Sequence, residues 1–108
     1  MTEAPLPGDA AWIFEAMGNS RRLRILKALK SGEMRVNEIA EHVSLSQSAT
    51  SQHLGKLRAA GLVMPRKQSQ EVFYSLSTPH VLEIIRSAEY LIGMRHLTPS
   101  VPYTRKWA

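Results

Sequence analysis

A run of short polar residues between positions 47 and 56 has the spacing of one helix face. Ser46 is a residue type that caps helices, and a helix numbered from it turns Ala49, Leu54 and Leu57 inward. Six residues then point outward: Gln47, Ser48, Ser51, Gln52, Gly55 and Lys56. The first four of them, which are the candidate base-reading residues, form what we call the polar stripe. Such side chains donate and accept hydrogen bonds, as base edges in the major groove of DNA require, and glutamine pairs bidentately with adenine. The stripe favours base reading over a merely solvated face, which would usually hold more glutamate and lysine.

Basic residues accompany the polar stripe. The chain has 14 Lys and Arg against 9 Asp and Glu, and its formal net charge of +5 favours a polyanionic partner. Five cations stand on neighbouring segments as candidate contacts to DNA phosphates: Arg21, Arg22, Arg58, Arg66 and Lys67. Each of them, taken alone, is explained at least as well as an ordinary solvated cation, and Arg58 also as the partner of an acidic neighbour.

The helices around the stripe follow from apolar periodicity. We expect one helix after the cap Asp9, a second from Asn19 to about Ser31, and a third of barely two turns over residues 36–43. The helix of the stripe follows after a short connection and ends at Gly61, a residue suited to a left-handed C-terminal position. Two short helices joined by a tight turn are typical of a helix-turn-helix.

The chain then changes from helical spacing to extended runs. Residues 62–66 and 71–76 predict a hairpin, and the polar tip between them, 67–70, is a candidate wing. Pro65 has no N–H to donate, so the first strand should lie at the edge of the sheet. The sequence therefore predicts a mainly α fold with a small β-hairpin, a winged helix-turn-helix.

The last helix, which Thr78 should cap and Pro79 begin, is apolar on more than one face. A terminal helix offers a small domain only one side, so the second apolar face predicts contact with another subunit. The first helix has a similar apolar surplus. We expect a twofold homodimer built from both helices. Its interface should contain six residues: Trp12, Phe14, Val81, Ile85, Ala88 and Ile92.

Composition limits both the number of domains and the chemistry. A chain of 108 residues with 44% apolar content suits one domain, which we place at 9–97, between a flexible arm, 1–8, and a tail, 98–108. The absence of cysteine excludes disulfides, thiolate zinc sites and a cysteine nucleophile. No apolar run is long enough to span a membrane and the start lacks a secretory signal, so we expect a cytoplasmic protein.

The sequence contains no catalytic motif. It shows no motif for a nucleophile paired with a base, for two catalytic carboxylates or for a glycine loop that binds phosphate. We therefore expect that the protein is not an enzyme and binds no cofactor. A winged helix used only for protein interaction would keep the core and lose the polar stripe. Gln47 and Gln52 argue against that alternative.

Three stretches, in this order and spacing, resemble the ArsR family of bacterial winged-helix repressors: NSRRLRILKAL, VNEIAEHVSLSQSATSQHLGKLRAAGLV and EVFYSLS. The resemblance covers roughly residues 12–92. It implies a dimer joined by the first and last helices, with two reading helices about one duplex turn apart on a palindromic operator. It also implies base reading by the polar stripe, and it adds His53, Lys56 and Gln70 to Lys67 as contacts to the DNA backbone.

The chain departs from this family at the positions of its metal sites. Many members carry a cysteine pair at the start of the third helix, where this chain has Arg35 and Asn37. Others bind metal through the last helix, but Thr78 and His80 lack a matching ligand three turns later. We therefore expect no metal site, and the effector, if there is one, stays unknown. The resemblance favours repression, since covering an operator requires only binding, and activation through bent DNA stays an alternative.

Overall fold

The computed structural model of the chain describes residues 6–94. Within this range the chain forms five α-helices: α1 (Ala10–Met17), α2 (Ser20–Ala28), α3 (Val36–Val43), α4 (Gln47–Ala59) and α5 (His80–Gly93). Three strands form an antiparallel sheet in the order β1-β3-β2: β1 (Met34–Arg35), β2 (Val63–Gln68) and β3 (Glu71–Leu76). The mainly helical fold with a small hairpin is thereby confirmed. Most of the arm 1–8 and all of the tail 98–108 lie outside the described residues, so the domain limits stay predictions.

Capping side chains fix where two of the helices begin. Asn19 Oδ1 accepts hydrogen bonds from the backbone N–H groups two and three residues later, at 2.9 and 3.1 Å. Ser46 Oγ accepts one from the N–H of Ala49 at 3.0 Å. Both predicted caps are confirmed, and each satisfies N–H groups that have no partner inside the helix. Asp9 precedes α1 but makes no capping hydrogen bond through its side chain, and α5 begins one residue later than expected, after Pro79.

Two features between α2 and α3 differ from the expectation. A short 3-10 turn, Leu29–Ser31, replaces the last turn of the predicted second helix, and Gly32 redirects the chain at a φ of 133°. The two residues of β1 then add a third strand to the hairpin and bring Arg35 opposite Phe73. A strand of two residues has no alternation of its own, so periodicity could not reveal it.

The hairpin is longer than expected. Because β2 and β3 pair over their whole length, the tip contains two residues, Ser69 and Gln70, instead of four. Ser69 has a φ of 57°, a left-handed conformation that costs a residue with a side chain some free energy. The edge position that Pro65 predicts for β2 is confirmed.

One apolar core holds the helices against the sheet. Its most deeply buried aliphatic side chains come from α2, α3, α4, β2 and α5: Ile25, Leu26, Ile39, Leu54, Leu57, Val63 and Val81. Burying each such side chain stabilises the fold by about 1.5 to 3 kcal/mol. Since Leu54 and Leu57 anchor one side of α4 in this core, the opposite side of α4 is left facing outward.

Candidate nucleic-acid interface

The polar stripe is exposed along its whole length. Its four side chains lie on the outer face of α4, and Gly55 and Lys56 continue that face. The inner face is formed by Thr50, Leu54 and Leu57, all fully buried, whereas Ala49, expected inside, is half-buried. The Thr50 hydroxyl has no hydrogen-bond partner among the described residues. The division of α4 into a core face and an outer polar face therefore matches the sequence-based expectation, with Thr50 in place of Ala49.

Gly55 leaves the middle of this outer face without a side chain. A Cβ placed there would meet nothing within 4 Å, so packing inside the described chain does not require glycine. Glycine in a helix costs about 1 kcal/mol relative to alanine. Contacts inside the described chain therefore do not account for this cost at Gly55.

A shallow depression joins the start of α4 to the wing. It has a volume of about 300 Å³ and its lining comes from β1, α3, α4 and the β2–β3 hairpin: Arg35, Val36, Asn37, Gln47, Gln70, Glu71 and Val72. Gln47 of the polar stripe and Gln70 at the wing tip thus line one surface. This arrangement brings Gln47, predicted to read bases, close to Gln70, predicted to contact the DNA backbone.

Arg35 fastens the wing to α3. Its Nη1 donates to Glu71 Oε2 at 2.7 Å and its Nη2 to Glu38 Oε2 at 3.3 Å. Its backbone N–H donates to Glu38 Oε1 at 2.9 Å, and these contacts hold the pKa of the Glu38 carboxyl below its ordinary value, the backbone bond most of all. Sequence reasoning missed this role of Arg35 and Glu71 because it depends on the unpredicted strand β1.

Arg66 is engaged within the chain as well. Its Nε and Nη2 donate to the two carboxylate oxygens of Glu33 at 3.1 and 2.5 Å, and its guanidinium lies 4.9 Å from the ring centre of Phe73. Hydrogen bonds from Arg66 lower the pKa of the Glu33 carboxyl. A phosphate would have to compete with Glu33 for this cation. Lys67, the next residue, is exposed and forms no ion pair among residues 6–94.

Arg22 does not occupy the place expected of a phosphate contact. Only 8% of the residue is exposed, and its Nε donates to the carbonyl oxygen of Ala16 at 2.6 Å. Its Nη2 donates to the carbonyl of Glu15 at 3.4 Å, and its Nη1 lies 3.4 Å from Nδ1 of His53. This corrects the expectation for Arg22, because a guanidinium covered by α1 and α4 is not presented to a ligand outside. Arg21, by contrast, is exposed.

His53 is half-buried on α4, between Arg22 and the outer face. The pKa of its imidazole lies below the ordinary value, first because burial disfavours the charged ring and then because of repulsion by Arg22, Arg21 and Lys56. Burial and the neighbouring cations thus both favour the neutral form of the ring.

This environment predicts a loss of stability in mild acid. The unfolded chain takes up the His53 proton near pH 6.5, about the free imidazole value, and the folded chain only at lower pH. Stability is therefore complete above pH 6.5 and falls as the pH drops through 6.5 toward the lower folded pKa. Urea unfolding at pH 7.5 and 5.5 checks this, with His53→Asn as the non-titrating control. An equal loss of stability in the variant would contradict the assignment.

An apolar groove lies between α1, α2 and α5. It has a volume of about 780 Å³, and its lining includes Phe14, Leu23, Ala88, Leu91 and Ile92. Phe14, Leu91 and Ile92 are 60, 67 and 59% exposed, unusual for large apolar side chains. The groove thus lies on the two helices from which a dimer was expected.

Two residues expected in the dimer interface are buried in the single chain, and one of them, Ile85, also lines the apolar groove. Val81 and Ile85 are only 2 and 5% exposed in the single chain, because this face of α5 packs on the body of the domain. Trp12 is half-buried, whereas Phe14, Ala88 and Ile92 lie at the surface as an interface would require. Tyr90 and Leu91, which were not assigned to the interface, are exposed beside them.

The described part of the chain contains neither a cluster of metal-ligating side chains nor a membrane span. Residues 6–94 bring no three His, Cys, Asp or Glu close enough to hold a metal ion together. The Nδ1 atom of His80 lies 2.9 Å from the hydroxyl of Thr78. No helix in this range has the length and apolarity to cross a membrane.

Comparison with known proteins gives relatives over most of the chain. The profile of the bacterial regulatory proteins of the arsR family matches residues 19–64. The nodulation protein NolR of Rhizobium meliloti is 43% identical over 99 residues, which span 85% of this chain and 81% of NolR. The transcriptional activator HlyU of Vibrio cholerae is 49% identical over 76 residues, 70% of each chain. The name of HlyU describes a transcriptional regulator, as does the arsR family profile.

Solved structures agree with this placement. The homodimeric winged helix-turn-helix DNA-binding domain of Mb0332 from Mycobacterium bovis, a possible ArsR-family regulator, matches with a TM-score of 0.73 at 25% identity, and the match covers 86% of each chain. The predicted winged helix-turn-helix fold is confirmed by this likeness. Since NolR is matched over four fifths of its length at 43% identity, the chain belongs to the ArsR family of bacterial transcriptional regulators.

Proposed function

We propose that this chain is a homodimeric, sequence-specific DNA-binding repressor that occupies a palindromic operator and catalyses no reaction. The observation that carries the proposal is the exposure of all four side chains of the polar stripe on one face of α4. A helix of 13 residues is about 20 Å long, and the major groove is wide enough to admit it. The wing beside the start of α4 supplies a second surface for the same duplex.

Base reading is assigned to the first two turns of α4. In helix-turn-helix proteins the N-terminal residues of the recognition helix reach the base edges. Gln47 and Ser48 lie in the first turn, and Ser51 and Gln52 lie one turn later on the same face. The bare backbone at Gly55 lets the following turn come close to the groove wall.

Contacts to the DNA backbone are assigned to the residues around the stripe that remain accessible. Arg21, Lys56, Lys67 and Gln70 are exposed, and His53 keeps a half-exposed position beside Lys56. Arg66 is a weaker candidate than the sequence implied, because Glu33 already holds its guanidinium through two hydrogen bonds. Lys67 is therefore the principal cation of the wing.

The salt dependence of DNA binding separates these two wing cations. Lys67→Ala is expected to lower the slope of log affinity against log salt concentration by about one, since one phosphate contact releases about 0.9 counterion. Arg66→Ala should lower it by less, because that cation is neutralised by Glu33 before DNA binds. Titrations of one duplex at several salt concentrations measure both slopes. A larger change for Arg66→Ala than for Lys67→Ala would reverse the assignment.

The second subunit is placed in the apolar groove between α1 and α5. Large apolar side chains such as Phe14, Leu91 and Ile92 are too exposed for a chain that acts alone, and a second copy buries them with its own equivalent patch. The homodimeric state of the Mb0332 domain supports this placement. A twofold dimer presents two copies of α4, and a twofold dimer reads a palindrome.

We propose repression because the described surfaces serve only two tasks. The apolar groove on α1 and α5 takes the second subunit, and the polar and basic residues of α4 and the wing contact DNA. Occupying an operator blocks transcription without any further contact. HlyU, however, is named an activator, so the direction of regulation needs its own test. Transcripts of genes beside the sites bound in the source bacterium should rise when the gene for this chain is deleted. A fall in those transcripts would identify an activator and overturn the proposed repression.

A further inference from the structure

Arg22 joins two helices that the proposed function uses for different tasks. Its Nε and Nη2 donate to the carbonyl oxygens of Ala16 and Glu15, in the last turn of α1. Carbonyls in the last turn of a helix have no partner inside that helix, so a donor from outside satisfies them. The same guanidinium reaches α4, where its Nη1 lies 3.4 Å from Nδ1 of His53.

The two ends of this link are tied to dimerisation and to reading. On α1, Phe14 immediately precedes the carbonyls that Arg22 holds and is part of the apolar groove assigned to the second subunit. On α4, His53 immediately follows Gln52 of the polar stripe. Arg22 therefore connects the helix of the proposed dimer seam to the helix of the reading face, in addition to the apolar core that both helices share.

The burial of Arg22 is not explained by pairing with an acid. Its side chain takes part in none of the ion pairs among residues 6–94. Burying a cation without a carboxylate costs folding free energy even when its N–H groups are hydrogen-bonded. A positional requirement accounts for an arginine here, because its rigid fork reaches acceptors on two elements at once, whereas the single ammonium group of lysine does not.

We propose that Arg22 is a positioning residue that sets the separation and orientation of the two α4 helices in the dimer, by linking the end of α1 to His53. This inference rests on the proposed dimeric, palindrome-binding function. The duplex senses such positioning directly, since one added base pair moves a half-site by about 3.4 Å and rotates it by about 35°. Arg22 thereby determines which half-site spacing the dimer accepts.

The test uses the full-length protein and duplexes that carry the half-site selected by the unaltered chain, with the central spacer shortened or lengthened by one base pair. Because the dimer recognises half-site separation geometrically, the unaltered protein should bind the best spacer about tenfold more tightly than spacers one base pair shorter or longer. For Arg22→Lys this ratio of affinities should fall below about threefold. Arg22→Lys should keep its dimeric state in sedimentation and its preference within each half-site.

Variants of His53 test the other end of the link. His53→Ala should flatten the spacer preference as Arg22→Lys does, whereas His53→Asn, which keeps an acceptor oxygen near the Nδ1 position, should restore it. If Arg22→Lys does not fold, the spacer preferences of the two His53 variants test the proposal on their own. An unchanged spacer preference in the folded dimeric variants, whether or not affinity falls equally at every spacer, would overturn the proposal.

Failure of the proposed function gives a different result. If the unaltered protein binds no palindrome, the operator-binding dimer is wrong and this inference falls with it. If the unaltered protein prefers one spacer sharply and the variants do as well, the function stands and only the role of Arg22 is refuted.

Discussion

Ile92→Glu is expected to convert the protein from a dimer into a folded monomer. The side chain is 59% exposed in the single chain and lines the apolar groove between α1 and α5, so the subunit itself loses little by the change. In a twofold dimer the substitution places two like charges in an apolar seam. A rise in the dimer dissociation constant of about 100-fold, close to 3 kcal/mol, is expected. Sedimentation velocity measures the mass and circular dichroism the helix content.

Two variants on the same helix serve as controls. Ile85→Glu should unfold the subunit, because Ile85 is only 5% exposed and an isolated carboxylate there costs about 4 kcal/mol or more. Arg86→Glu changes charge at an exposed position of α5 that does not line the groove, and it should leave the dimer intact. A dimer that survives Ile92→Glu would show that the end of α5 is not the seam.

Gln47→Ala is expected to remove sequence preference at one base pair in each half-site. Gln47 is exposed in the first turn of α4 and has room to meet a base edge. Loss of a bidentate contact costs about 1 to 3 kcal/mol of discrimination, roughly 5-fold to 150-fold. Affinity for random duplex should hardly change, because that affinity comes mainly from phosphate contacts. Competition binding with the selected duplex, its single-base variants and random DNA measures each quantity.

Lys67→Ala is the matched control for this prediction. It should weaken binding to selected and random duplexes by the same factor, since a phosphate contact carries no base information. If Gln47→Ala also weakened both duplexes equally, Gln47 would be a backbone contact and the base-reading role of the polar stripe would be lost at its first residue.

Periodicity and capping chemistry predicted the features that orient α4. Asn19 and Ser46 cap their helices as expected, and Leu54 and Leu57 turn the polar stripe outward. The caps depend on residues at most three positions apart, and the outward direction of the stripe follows from the apolar period of α4. Both features can therefore be predicted from the sequence. The unexpected strand β1 is set by pairing with β3, a contact between residues far apart in the chain, and its two residues show no period.

Roles that depend on neighbouring elements could not be predicted in the same way. The periodicity of α5 indicates two apolar faces but not which of them meets the core. Val81, assigned to the interface, therefore lies in the core, and Ile85 is buried in the core while it also lines the groove. Arg22 was expected at the surface because a cation early in a helix is usually solvated. Its burial follows from the end of α1 and from His53, whose positions no local pattern gives.

The ion pairs of the wing have a consequence for its electrostatics. Arg35 is paired with Glu71 and Glu38, and Arg66 with Glu33, so these arginines position the hairpin more than they charge it. Exposed pairs of this kind contribute about 0 to 1 kcal/mol each to stability. Their effect is to hold the wing tip beside the start of α4, where Gln70 and Gln47 share one surface.

Selection of random duplexes by the purified protein tests the central claim most directly. It is carried out at about 150 mM salt, where phosphate contacts alone bind weakly, with and without added zinc, and the bound duplexes are sequenced. A palindrome whose half-sites lie about one duplex turn apart, with the same enrichment in zinc, is the predicted result. No enrichment over random sequence would contradict the account and leave the polar stripe as a solvated surface or a protein contact.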